Sequence, residues 1–467
     1  MIDFTAASKK EEIRRILAKK GARVYFTGIG GISMSSLAVL LQKRGAKVIG
    51  SDLRKSEITE MLTRRGILVR YSHAKEYIMS FRPDLAVFSL AVNKENPEYK
   101  AVLDMSIPAV SRAELLGALL LDHRVKTGVS GSHGKSTVTA MIGKILSSAG
   151  KDPTILCGAE ISDTAGLVFG GRDHIVFESC EYGDSFLKLP ADVQVLLNLE
   201  LDHTDYFKTE SALCDSFVQS ANNAGCCVLN YDSEKLRSLV DRISSEKHTF
   251  SRGDGAEYRY VSREFSRASY SFKLYRWGRE IGEYHPRIRG EFNLVNAVSA
   301  AVTADVLGVS FDASSRAIAE FSGIKRRLEL ICTCGGKDVF YDYAHHPSEI
   351  AAVCDTLYKM GYKKISVIFA PHTYSRTASF FDSFAKELAK FNTVYVTEVY
   401  GARETAVVGI NSSSLAQAVR DKGTLASAVS FCEYSRLACD ILSKENDCVV
   451  LMGAGDLEEI KKEFLKI

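Results

Sequence analysis

The sequence predicts an α/β protein of three consecutive domains, and three observations carry that expectation. The 467 residues are about three times the ~150 typical of one domain. Short β-branched and aromatic runs alternate with helical patterns along the chain, which is the rhythm of parallel sheets built from βαβ units. Two of those runs lead straight into glycine loops that open a helix, at Gly28 and at Gly131.

The first unit is expected over residues 1–121. Strand Val24–Thr27 runs into Gly28-Ile29-Gly30-Gly31, a helix pattern follows from Ser33 to Lys43, and Lys47–Gly50 and Leu85–Ser89 are further strands. A helix at Arg112–Leu121 ends the unit, and Asp122-His123-Arg124 is the first hinge. The second unit, 122–323, begins with strand Val125–Val129, a glycine loop, and a helix from Ser136 to Ser148. Strands follow at Ile175–Glu178, Val193–Asn198 and Cys227–Asn230. Aromatic and polar residues alternate over Ser269–Arg289 around Trp277-Gly278-Arg279, which predicts an antiparallel hairpin. Helices at Leu294–Leu307 and Ala313–Phe321 lead to the second hinge, Ser322-Gly323. The third unit, 324–467, has strands Val339–Tyr343, Ile365–Phe369, Val394–Glu398 and Val449–Met452, with helices such as Ser379–Lys390 between them.

Composition excludes several classes. Sixty basic against 57 acidic residues leave +3, too near balance to suggest nucleic acid as partner. The longest stretch without polar side chains, Cys448–Gly455, has eight residues, against the ~20 that span a bilayer, so no membrane insertion is expected. The N-terminal segment has no apolar core before a cleavage site. Eleven cysteines at this length are not a disulfide framework, and neither Cys226-Cys227 nor Cys332-Thr-Cys334 has a second pair at zinc spacing. The expectation is a cytoplasmic, reduced protein.

The glycine turn Gly28-Ile29-Gly30-Gly31-Ile32-Ser33, with Asp52 at the end of the next strand, offers unpaired amides and a helix N-terminus to a diphosphate. NAD, another diphosphate nucleotide and a purely structural turn all remain open, because Ser33 takes the place of the third glycine of G-x-G-x-x-G. Gly131-Ser132-His133-Gly134-Lys135-Ser136-Thr137 is the sharper signal. Its glycines wrap phosphate oxygens, Lys135 reaches the outer phosphates, and the Ser136 hydroxyl suits Mg²⁺. The motif is the short G-x-x-G-K-S, since valine stands at 129. Such a metal wants oxygen ligands, and acids cluster after two strands: Glu178, Glu181 and Asp184, then Asp202, His203 and Asp205. In the third unit, Lys325-Arg326-Arg327, Asp342–Pro347 and Pro371–Arg376 suit an anion and nucleotide clamp. The adjacent His345 and His346 have no zinc partners nearby in sequence.

Together these segments resemble the Mur ligases of peptidoglycan synthesis, over about Val24 to Gly455. The ordered set carries the resemblance: the glycine turn with Met34, Gly50-Ser51-Asp52, Arg112-Ala113-Glu114, Gly131–Thr137, Glu178–Phe186, Asp202-His203, Asn293 with Asn296-Ala297, Lys325–Arg327, Asp342–Pro347, Pro371–Arg376, Ala402-Arg403-Glu404 and Met452–Asp456. It implies ATP-dependent joining of L-alanine, or another amino acid or peptide, to UDP-N-acetylmuramate by a monomer or weak homodimer. Gly28, Gly30, Gly31, Ser33, Asp52 and Arg112 would then serve the UDP-sugar, so the turn binds UDP and not NAD. Gly131, Ser132, His133, Gly134, Lys135, Ser136 and Thr137 would hold ATP phosphates. Asn293 and Asn296 would approach adenine, and Arg327, Asp342 and His345 the ribose and phosphates. Ser136, Glu181 and His203 would ligate Mg²⁺ or Mn²⁺. Lys135, His203, His372 and Arg376 would act in catalysis. Phe292, Thr373, Tyr341 and Ser33 depart from the family pattern and bear on fine specificity.

Overall fold

A computed structural model of the chain describes residues 6–161, 166–202, 204, 206–401, 404–455 and 457–467, with side chains from residue 9 onward. It contains three sheets in sequence order. The first has five parallel strands, β1 Arg23–Thr27, β2 Lys47–Ser51, β3 Leu68–Arg70, β4 Leu85–Phe88 and β5 Ala109–Ser111, in the order β3-β2-β1-β4-β5. The order reverses between β1 and β4, so a crevice opens at their carboxyl ends, where the glycine turn lies.

The second sheet has ten strands: β6 Val125–Ser130, β7 Thr154–Leu156, β8 Leu167–Val168, β9 His174–Glu178, β10 Val193–Leu196, β11 Cys226–Asn230, β12 Glu246–Ser251, β13 Tyr258–Ser266, β14 Ser269–Arg276 and β15 Arg279–Tyr284. Their order is β15-β14-β13-β12-β11-β10-β6-β9-β7-β8. The central strand β6 is parallel to both neighbours and ends at the phosphate loop. The predicted hairpin is β14–β15, turning on Trp277 (φ 49°) and Gly278 (φ 80°). β13 extends it by a third antiparallel strand that the sequence reading left out.

The third sheet comprises β16 Glu329–Cys334, β17 Lys337–Asp342, β18 Ile365–Ala370, β19 Thr393–Thr397, β20 Leu425–Val429 and β21 Cys448–Gly453, ordered β16-β17-β21-β18-β19-β20. The helix expected at Ser379–Lys390 is Phe381–Leu388, and a separate short helix, Tyr374–Ser379, which was not expected, precedes it. The break at Phe380 (φ −116°, ψ 17°) gives Arg376 a short helix of its own.

Burial binds the units together. The core of the first sheet, including Val24, Leu37, Leu40 and Leu119, is continuous with Leu156, Ile175 and Phe177 of the second. Among the described residues no helix is long and apolar enough to cross a membrane.

Candidate active site

The phosphate loop follows β6, whose last two residues, Val129 and Ser130, are fully buried on opposite faces of the sheet. Gly134 (φ 84°) precedes the helix Lys135–Ser148 in the left-handed region. A Cβ there would meet the Asn296 side-chain oxygen at 2.4 Å, so the loop needs glycine both for its turn and for contact with the helix Glu291–Val306. That helix carries Asn293 and Asn296, which are buried and joined by an Asn296 Nδ2 to Asn293 Oδ1 bond of 3.2 Å. Both candidate adenine residues therefore stand beside the loop.

The loop is laced to the segment after β10. The His133 amide donates to Asn198 Oδ1 at 2.8 Å, Asn198 Nδ2 donates back to the His133 carbonyl at 3.1 Å, and Ser132 Oγ donates to the Glu200 carbonyl at 2.9 Å. Lys135 lies inside, not on an open surface as an exposed phosphate loop would suggest. Its ammonium donates to the Gly131 carbonyl and to both Glu181 oxygens at 3.2 Å. Burial alone would lower its pKa, but Glu181 and its acidic neighbours outweigh that and hold it above the ordinary value. Glu181 is 2% exposed. Ser136 and Thr137, in the first turn of the helix, are buried.

The third unit closes over this loop. His133 Nδ1 lies 2.9 Å from Glu349 Oε1 of the third unit's helix Pro347–Lys359, and Nε2 lies 3.2 Å from Glu200 Oε2. Burial would depress this imidazole, but Glu349 and Glu200 raise it from 6.5 to about 9, so it is a cation at neutral pH. Glu349 also accepts from the His345 amide at 2.9 Å and the His346 amide at 3.2 Å, and lies 3.6 Å from Arg327. Arg327 stacks over Tyr343, 5.3 Å from the ring centre. Asp342 accepts from the Leu328 amide at 2.6 Å and the Ala344 amide at 2.7 Å, and burial raises its carboxyl to about 6. His345, lowered to about 4 by burial, bonds the Tyr343 carbonyl through Nδ1 at 2.9 Å.

His346 corrects the expectation that the paired histidines lack metal-ligand company. Its ring, that of His133 and the Glu200 carboxylate bring three donor atoms within 4.8 Å of one another. The hydroxyl of Ser348 lies among them, 2.7 Å from Glu200 Oε2, 2.8 Å from His346 Nδ1 and 3.2 Å from His133 Nε2. A hydrogen-bonding hydroxyl thus fills the space an ion would take.

Arg376 sits at a second crossing between the same two units. Its guanidinium grips Asp202 with Nε and Nη2 at 3.0 and 2.8 Å, and both groups are buried. Nη1 is 3.3 Å from His372 Nδ1; since guanidinium only donates, that ring nitrogen is the acceptor. Thr373, in the left-handed region (φ 65°), caps the helix of Arg376 through Oγ1 at 3.4 Å. Tyr400 stacks on His372 (5.6 Å between centres, 22°) and accepts a 3.3 Å bond from Arg54 Nη1 of the first unit. His203, Asp205, Arg403 and Asp456 lie outside the described residues.

The glycine turn is built within one unit. The Gly28 and Ile29 amides donate to the Ser51 carbonyl at 2.8 and 3.0 Å, and the Gly30 amide donates to Asp52 Oδ2 at 2.8 Å. The helix begins at Ile32, so Gly31 and the half-exposed Ser33 lie at its N-terminus. Arg112 opens the helix Arg112–Leu120 behind the Ser111–Glu114 capping box. A cleft of about 860 Å³ lies between this unit and the phosphate-loop helix, lined among others by Met61, Arg64, Lys144, Glu160 and Lys325.

These features define a three-domain α/β protein in which the last domain covers the glycine loop that follows β6. Three family profiles match in order: Mur ligase family, catalytic domain, over residues 14–124; Mur ligase middle domain over 129–304; and Mur ligase, glutamate ligase domain, over 326–455. The chain is 36% identical over 451 residues to a UDP-N-acetylmuramate–L-alanine ligase of Caldicellulosiruptor bescii, covering 95% of this chain and 98% of that one. Its fold is similar to the crystal structure of the UDP-N-acetylmuramate-alanine ligase MurC of Thermotoga maritima, with TM-score 0.81 and 26% identity over 95% of this chain and 98% of that chain. It is also similar, with TM-score 0.59 and 16% identity over 90% and 95%, to the MurF ligase of Thermotoga maritima solved with ADP. The chain belongs to the Mur ligase family.

Proposed function

We propose that this protein joins L-alanine to the lactyl carboxylate of UDP-N-acetylmuramate at the expense of ATP, releasing ADP and phosphate, in the cytoplasm, for peptidoglycan precursor synthesis. The observation that carries the reading is the seam at which Glu349, with Arg327 beside it, and Arg376 of the last unit meet the phosphate loop and the Asn198–Asp202 segment. The working limits of the three units are 1–121 for the sugar nucleotide, 122–323 for ATP and 324–467 for the amino acid.

A carboxylate oxygen is too poor a leaving group for direct amide formation, so it is first phosphorylated. Phosphoryl transfer asks the protein for position and charge neutralisation. Lys135 exchanges Glu181 for phosphate oxygens, and Arg327 adds a second cation from the closing unit. The donor set fits a hard divalent cation: the Glu181 carboxylate is buried beside the loop and Ser136 opens the helix. Ser136, Glu181 and His203 would hold Mg²⁺, which supplies charge neutralisation at the phosphates when bound. Arg376 turns from Asp202 to the reacting carboxylate or the amino acid's own carboxylate. That movement releases the His372 lone pair to take a proton from the incoming amine. The seam excludes water from the labile acyl phosphate.

Phosphate release from ATP in the presence of UDP-N-acetylmuramate, tested against a panel of amino acids and one tripeptide, decides the reading. L-alanine-dependent release is expected. Release with the tripeptide alone would assign the protein to peptide joining instead. Label from ¹⁸O-lactyl carboxylate should appear in inorganic phosphate; label in AMP would overturn the acyl-phosphate route.

A further inference from the structure

Glu349 belongs to no segment that nucleotide chemistry alone would single out, yet it stands where the last unit touches the phosphate loop. It is largely buried, at 10% side-chain exposure. Its two oxygens divide their work. Oε2 caps its own helix by accepting from the His345 and His346 amides, while Oε1 meets His133 Nδ1 at 2.9 Å and faces Arg327 at 3.6 Å. His133 is a residue of the phosphate loop itself, tied by amide and carbonyl to Asn198. On its other side it meets Glu200, which also accepts from Ser348 of the Glu349 helix at 2.7 Å.

From this geometry, and resting on the ligase reading above, we propose that Glu349 is a positioning residue: by gripping His133 across the domain seam it sets the phosphate loop for nucleotide only when the last unit is docked. The physical case rests on the two-oxygen arrangement. A residue serving only as a helix cap needs one oxygen on its own amides. The second oxygen here is committed to another domain's loop, where a charge-assisted bond is short and directional. The cation on His133 is in turn held by Glu200, so the loop side chain is fixed from both sides at once. Removing the last unit leaves His133 with one carboxylate and the loop with one restraint fewer.

The test is a double-mutant cycle on the full-length protein with Glu349→Gln, His133→Gln and the pair, read by calorimetric affinity for the non-hydrolysable nucleotide AMP-PNP and by steady-state kinetics. Glu349→Gln should weaken AMP-PNP and raise KM for ATP about tenfold while leaving KM for UDP-N-acetylmuramate unchanged. The double variant should be no weaker than Glu349→Gln alone, because both substitutions break one contact. Effects that multiply, or a loss confined to thermal stability with unchanged nucleotide affinity, would overturn the proposal and leave Glu349 a cap. If Glu349→Gln does not fold, Glu349→Asp, which keeps the charge but shortens the reach to His133 Nδ1, must lower AMP-PNP affinity, and unchanged affinity would overturn the proposal. The calorimetric arm needs no turnover, so a wild-type protein inactive with L-alanine would sink the ligase reading while this coupling is still decided.

Discussion

The glycine turn at Gly28–Gly31 and the phosphate loop at Gly131–Gly134 share one plan, strand, loop and helix, but they are held by different parts of the chain. The first is closed upon its own sheet: its amides go to the Ser51 carbonyl and to Asp52. The second reaches outward, with His133 on Glu349 of the last unit and Lys135 on Glu181 at the end of another strand. A loop satisfied within one domain is ready before its ligand arrives. A loop restrained across a seam changes when the seam opens, so on the reading proposed above the loop at Gly131–Gly134 is the one that would sense domain position.

The most forceful way to sharpen that contrast is Lys135→Ala. Turnover should fall by about 10³, and Tm should fall too, because the substitution leaves Glu181 buried without that cation. Adding Glu181→Gln should recover Tm without recovering turnover, measured by thermal unfolding beside phosphate release. An unchanged Tm in Lys135→Ala would mean that the ion pair does not restrain the loop.

Arg376→Ala comes next, with an expected loss of about 10² in kcat and suppressed transfer of ¹⁸O to phosphate. Asp202→Asn separates the two roles of that arginine. Freed of its buried partner, Arg376 should retain turnover with a lower Tm, and a turnover loss equal to that of Arg376→Ala would show that the pair acts as one unit.

On the other side of the comparison, Gly30→Ala places a Cβ 2.8 Å from Asp52 Oδ2 and 3.0 Å from Thr59 Cγ2. UDP-N-acetylmuramate should bind about tenfold more weakly, while AMP-PNP affinity stays at the wild-type value. Loss of both by calorimetry would contradict a turn built within one unit.

The smallest effect is one of pH. The folded pKa of His133, raised to about 9, lies above its ordinary 6.5. Its contribution to stability is therefore complete below about pH 6.5 and is lost as pH rises through about 9. Thermal unfolding of the wild type should weaken over that window, and His133→Gln should flatten the profile. An equal slope in both proteins would remove the cation from the seam.

What was legible in the sequence was local. The strands that lead into glycine loops, the loop Gly131–Thr137 and the Trp277-Gly278 hairpin turn are written in neighbouring residues, because backbone geometry and β-branched runs are short-range signals. The partners of the site are not. Asp202 and Arg376 each stand out in the sequence, but they are 174 positions apart and His133 and Glu349 are 216 apart, and no spacing along the chain pairs them. The same limit explains the histidine pair: nothing in the spacing around His346 points to His133 or Glu200, yet it lies beside both in space. The helix Tyr374–Ser379 escaped because it is only six residues long, too short to show a helical period along the chain.

The hairpin turn also fixes how motion in this protein can be watched. Trp277 is the chain's single tryptophan, 76% exposed on the turn between β14 and the edge strand β15. An indole so fully bathed in water emits in the same red band whether or not the last unit is docked. Native tryptophan fluorescence is thus a silent channel for the movement that matters most. An indole introduced at Phe380, whose ring stands edge-on to His346 with centres 4.7 Å apart, would turn docking into a change of colour, and Trp277 would serve as the unchanging internal standard once its own contribution is subtracted.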